Sequence, residues 1–267
     1  MEWVWHILAS TGAGVGTGPA LPPVLSERGF LSRGALFGQT LRCFGTLAAF
    51  VIPCLLILLL IRFLLQPPPF VFRKLLHLAA FTGVSLMILT AESWAAAALT
   101  SGLLAAILFP ILTLAQQRPW FDALFVQKSP GEIRRSMLLL FFMFTAVIAV
   151  GWGFFHAPRL AVASILMWGA GDGAAALVGV PFGRHKVRCR FTDGKKSWEG
   201  SAAMLLVSLA VGLSVLLLTR ESPWPRALLS AIAGTLLGTA TELFSPTEHD
   251  TVTVPVVILA ALLVCGA

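Results

Sequence analysis

The chain has 267 residues, 57% of them hydrophobic and 12% charged, with a formal net charge of +7 and a mean hydropathy of +0.88. Soluble domains are about a quarter charged, so too few polar groups exist to coat a globule of this size, and lipid must cover part of the surface. The basic balance therefore belongs to membrane topology rather than to nucleic acid. The four cysteines (Cys43, Cys54, Cys189, Cys265) have neither CxxC spacing nor a histidine partner and read as small core residues.

Residues 1–40 form an N-terminal segment. It has no basic start of the kind a cleaved signal peptide carries. Within it, residues 3–25 hold Gly12, Gly14, Gly16 and Gly18 followed by Pro19, Pro22 and Pro23, a poor helix that reads as a loose or interfacial segment, with one weak span as the alternative. The glycines lack the spacing and the Lys-Ser/Thr ending of a phosphate loop. Residues 41–267 form one transmembrane domain with no appended soluble domain. Its apolar runs fall at 41–65, 75–90, 94–114 (bent at Pro110), 136–155, 160–180, 200–218, 227–243 and 252–266. A span needs roughly 20 apolar residues, so the predicted fold is an all-α polytopic membrane helix bundle with about eight transmembrane helices, some short.

The 19 Lys and Arg residues divide unequally between the loops these spans create: thirteen on one face and six on the other. The richer face holds Arg62, Arg73, Lys74, Arg118, Lys128, Arg134, Arg135, Arg184, Lys186, Arg188, Arg190, Lys195 and Lys196. The positive-inside rule makes it cytoplasmic.

Asp172 lies inside the apolar run LAVASILMWGAGDGAAALVGV. An ionisable group in a span is costly and marks a functional-site candidate. Gly169, Gly171 and Gly173 around it allow a ligand or backbone to approach closely. Such a carboxylate could hold Mg²⁺ beside a phosphate chain; a buried Asp paired with an arginine, or capping a broken helix, is the alternative. The following loop, PFGRHKVRCRFTDGKKSWEGS, has six cations at 184–196 and a turn at Asp193-Gly194. Lys195, Lys196 and Ser197 then stand just before the next span. Cations, a hydroxyl and free N–H groups at a helix start suit a polyphosphate. On charge alone, a topology-setting or headgroup-binding loop competes equally; the nearby Asp172 favours a nucleotide. Glu242 and Asp250, at the end of another span, fall on the same face as Asp172 and could supply metal ligands and a general base. Glu248 and His249 read as solvated loop residues. Arg73, Lys74 and His77, in RKLLH, open a span, with Arg73 and His77 one turn apart. These, with Glu132 and Arg135 in GEIRRS, are weaker candidates that an interfacial anchor explains equally. Trp94, Trp120, Trp168 and Trp198 read as interfacial or packing aromatics.

The stretch GDGAAALVGVPFG followed by KKSWEGSAAM resembles the signature of the CTP-dependent polyprenol kinases, the group that includes phytol and dolichol kinases. RKLLH, GEIRRS and TELFSPTEHDTVTVP resemble further motifs of that family in the right order, over about residues 70–267. The modest length resembles the phytol kinase branch. Three positions depart from the pattern: Thr251 stands in place of Asn, His249 in place of a second acid, and Glu199 in place of a small residue.

The resemblance implies an enzyme that transfers the γ-phosphate of CTP, with Mg²⁺, to the hydroxyl of a long-chain isoprenoid alcohol such as phytol or geranylgeraniol. By position, Asp172 and Asp250 become the catalytic carboxylates. Lys186, Lys195, Lys196, Ser197, Gly171 and Gly173 fall in the nucleotide site, and Asp172, Glu242 and Asp250 among the metal ligands. Two rival readings remain: a phosphatidate cytidylyltransferase, which also uses CTP and Mg²⁺ but takes a phosphate acceptor, and a transporter or lipid-binding membrane protein.

Overall fold

In a computed structural model, the described residues are 33–118, 121, 131–187, 194, 196–219, 223–246 and 249–266. The segment 3–25, Trp120, Glu248 and Lys195 lie outside them. Among the described residues the chain forms eight α-helices: α1 (Arg33–Leu65), α2 (Pro69–Thr90), α3 (Trp94–Ala115), α4 (Glu132–Val147), α5 (Pro158–Phe182), α6 (Trp198–Thr219), α7 (Trp224–Phe244) and α8 (Asp250–Val264). Seven are long and apolar enough to cross a membrane, α4 together with a π-helical continuation at Ile148–Phe154. α8, with 15 residues, is only about 22 Å long, short of the roughly 30 Å hydrocarbon core.

The helix starts follow local chemistry. α2, α5 and α7 open with proline in the first turn, where the missing N–H would be unpaired anyway. α4 follows Gly131, held in the left-handed region at φ 77°. Ser197 Oγ accepts the Gly200 N–H (3.3 Å) at the start of α6, as an N-cap does. α3 runs through Pro110 as one helix.

α5 is the central helix, packed against α2, α6 and α8. Its glycines bring the neighbours close. A Cβ on Gly169 would stand 2.3 Å from the Phe81 ring, and one on Gly171 would stand 2.2 Å from Ser208 Oγ. Ser208 itself donates to the Met167 carbonyl (2.8 Å), and Ser164 to the Pro255 carbonyl of α8 (3.0 Å). Around Phe81, edge-to-face contacts to Trp168 (4.5 Å) and Phe144 (5.0 Å) join α2, α4 and α5. Trp168 is thus a packing aromatic, while Trp94 and Trp198 are exposed. α1 lies at the edge, on α2 and α3, with Leu56, Phe63 and Leu65 on its exposed surface, as a helix facing lipid requires.

Candidate active site

Polar contacts gather the starts of α2, α4, α6 and α8 and the ends of α5 and α7 at one end of the bundle. These contacts form two levels. Nearest the surface, the Lys196 ammonium stands 3.1 Å from Glu242 Oε1 and 3.2 Å from Asp250 Oδ2, and it also donates to the Glu242 backbone carbonyl. The Lys196 and Glu242 side chains are only 11% exposed. Lys196 lies two positions before the start of α6, Glu242 lies two positions before the end of α7, and Asp250 opens α8, so this level stays within a few ångströms of the helix ends. Asp250 Oδ1 accepts the Thr251 N–H (2.8 Å). That bond uses the backbone, so the departure at Thr251 does not disturb it. His249 is exposed.

The second level is deeper. Asp172 lies ten positions before the end of α5 at Phe182, about 15 Å along the helix. Lys74, one turn into α2, places Nζ 2.5 Å from Asp172 Oδ2. The pair is not sealed. Asp172 is surrounded densely by protein, yet 31% of its side chain is accessible, so it can be reached from outside the bundle. His77, one turn deeper on α2, has Lys74, Asp172 and Arg73 as its charged neighbours. Arg73 turns to α4 and pairs with Glu132 (2.9 Å). Arg135 lies exposed on α4.

The two levels form one electrostatic unit: Asp172 feels Lys196, and Glu242 feels both Asp172 and Asp250. Three carboxylates face two ammonium groups, which leaves the cluster short of one positive charge. Among the described residues, no three His, Cys, Asp or Glu side chains stand together as a metal cage. A Mg²⁺ site needs only one or two carboxylates when substrate phosphates complete the coordination, and these hard oxygen donors fit such an ion.

The basic loop is held at its neck. Lys186 and Ser197 form an antiparallel bridge, with Val187 N–H donating to the Lys196 carbonyl (3.0 Å) and Trp198 N–H to that of His185 (3.1 Å). Glu199 accepts the His185 N–H (3.1 Å) and stands 2.6 Å from its Nδ1. Gly194 has φ 66°, in the left-handed region that favours glycine; Asp193 lies outside the described residues. Lys186 is exposed, and Ser197 is 3% exposed, beneath Gly179 and Gly183. Of the two glycines flanking Asp172, Gly171 packs on α6 whereas Gly173 faces open space. Beyond the Lys74–Asp172 and Arg73–Glu132 pairings, two contacts escape sequence reasoning: the inward turn of Lys196 and the His185–Glu199 clasp. The unusual acid at 199 is the only sequence signal for the latter.

Fold and site together define a multi-pass membrane protein with an ionisable cluster at one end of its helix bundle. The chain is 34% identical over 195 residues to a phytol kinase from Synechocystis sp., across 70% of this chain and 76% of the relative. It belongs to the phytol kinase family. No family model matches it, and no solved structure matches it.

Proposed function

We propose that the protein is a membrane prenol kinase that transfers the γ-phosphate of CTP to the hydroxyl of a long-chain isoprenoid alcohol such as phytol or geranylgeraniol, at the cytoplasmic face. The observation that carries this reading is the Lys74–Asp172 pair, accessible within an apolar helix and electrostatically joined to Lys196, Glu242 and Asp250. Phosphoryl transfer needs positioning and charge stabilisation above all, and this cluster offers both beside a lipid phase. The named relative supports the acceptor class.

The alcohol oxygen forms a bond to the γ-phosphorus as the bond to the β-bridging oxygen breaks, and CDP leaves. Asp172, the deepest carboxylate, accepts the hydroxyl proton, and Lys74 fixes its orientation. Glu242 and Asp250 are the residues that would hold Mg²⁺ with substrate phosphates completing its coordination, and the ion would offset the charge of the β- and γ-phosphates. Lys186 and Lys195 lie in the loop that meets the phosphate chain, while Lys196 fixes Glu242 and Asp250.

The test is transfer by purified protein in detergent with Mg²⁺, offering γ-labelled CTP or ATP against phytol, geranylgeraniol and phosphatidic acid. Label in a prenyl monophosphate from CTP is expected. A CDP-lipid formed from phosphatidic acid, with no labelled alcohol, overturns the reading in favour of a cytidylyltransferase. Absence of both products, with no nucleotide bound, leaves the transporter reading. Asp172→Asn should insert normally and lose activity by about 100-fold or more; near-normal turnover removes Asp172 from the chemistry.

A further inference from the structure

α5 meets α2 tightly at one level and loosely at the next. A Cβ on Gly169 would lie 2.3 Å from the Phe81 ring of α2. One turn toward the basic loop, a Cβ on Gly173 would meet nothing within 4 Å. Gly171, Gly179 and Gly183 are all closely approached by α6 or the residues just before it. Gly173 is thus the open glycine of this helix, and it adjoins the accessible Asp172. Positions 177 and 180 continue the same side of α5, and Leu177 (37% exposed) and Val180 (60% exposed) present apolar surface there. α5 is 25 residues long, about 37 Å, against a hydrocarbon core of roughly 30 Å. Asp172, about 15 Å from its end, therefore lies below the hydrocarbon boundary, at a depth where an outward-facing opening meets acyl chains.

We infer that Gly173, instead of lining the nucleotide site as the family resemblance implies, is the threshold through which the isoprenoid alcohol enters sideways from the bilayer, its hydroxyl reaching the Lys74–Asp172 pair while the nucleotide occupies the surface level at Lys196, Glu242 and Asp250. This rests on the kinase reading and adds to it an entry site and a division of the cluster by depth. The occupant is an amphiphile with one small polar head and a flexible apolar tail: a bulky charged headgroup does not suit a passage at hydrocarbon depth.

Two experiments test it on the full chain. Gly173→Leu places a Cβ that meets nothing within 4 Å and carries an isobutyl group into the opening. It should raise KM for geranylgeraniol at least about 10-fold, leave KM for CTP within about twofold, and impair a five-carbon prenol much less. An unchanged KM for geranylgeraniol, or an equal rise for CTP, overturns the inference. In a variant whose only cysteine replaces Gly173 (G173C), geranylgeraniol and not CTP should protect the thiol from a lipid-soluble maleimide; protection by CTP alone, or by neither, also overturns it. The thiol readout needs no turnover, so it stands even if Gly173→Leu folds poorly. Failure of the unaltered protein to phosphorylate any alcohol is a separate result, against the kinase reading.

Discussion

Lys196 is one of six cations in a short basic loop, and nothing in its spacing distinguishes it from Lys195 or Lys186. The fold does distinguish it, by turning its ammonium inward among the oxygens of Glu242 and Asp250. Removing one member of such a part-buried pair leaves a charge uncompensated, which costs about 3–5 kcal/mol, whereas removing both is often neutral. Lys196→Met should therefore lower the thermal midpoint in detergent markedly, and Lys196→Met combined with Glu242→Gln should recover much of it. A double variant as unstable as the single one would mean that Glu242 and Lys196 are not coupled. Asp172 was legible in the sequence because an acid inside an apolar run is too costly to be accidental. Its partner was not, because RKLLH offers three cationic or titratable groups within one helical turn and only tertiary packing selects Lys74 for Asp172 and Arg73 for Glu132.

At the scale of the helix, hydropathy located every apolar run but misjudged where the helices begin. α2 starts at Pro69 rather than near 75, because Arg73, Lys74 and His77 depress the apolar signal while sitting in good helix. The π-helical turn at Ile148–Phe154 had no periodicity to announce it. It arises where Gly151 packs against Ala161 and Gly153 against the Trp94 ring, contacts between helices that one helix's sequence does not show. The same dependence on neighbours separates glycines that look alike. Gly169→Ala forces a Cβ into Phe81 and should cost about 1–3 kcal/mol, while Gly45→Ala on α1, with nothing within 4 Å, should be neutral or stabilising by up to about 1 kcal/mol. Detergent melting curves of the two variants check the contrast. The neck of the basic loop allows a kinetic test as well. Glu199→Ala removes the clasp on His185 that holds this neck, so KM for CTP should rise roughly 2- to 5-fold with little change in kcat. An equal fall in kcat alone would place Glu199 nearer the chemistry than its position suggests.

For the molecule as a whole, the deciding question is which way the bundle faces. The ion pairs at Lys74–Asp172, Lys196–Glu242 and Arg73–Glu132 put the basic loops and the site at one end. Arg159 reaches the Thr219 carbonyl (3.0 Å) and Arg42 pairs with Glu92 at the other. The excess of Lys and Arg on the site face then predicts that this face is cytoplasmic, where a soluble nucleotide triphosphate would reach it. The orientation can be read from two single cysteines in a chain whose native cysteines are replaced. Arg184→Cys lies at the neck of the basic loop and is exposed. Glu92→Cys lies at the opposite end, where its side chain is 60% exposed and its pair with Arg42 is too solvated to matter for folding. A membrane-impermeant maleimide should label position 184 in inside-out vesicles and position 92 in intact cells. The reverse pattern would place the carboxylate cluster away from the cytoplasmic nucleotide pool. A kinase drawing on that pool could not work in such an orientation, whatever its detergent activity, so the sidedness of these two positions tests the cellular reading independently of turnover.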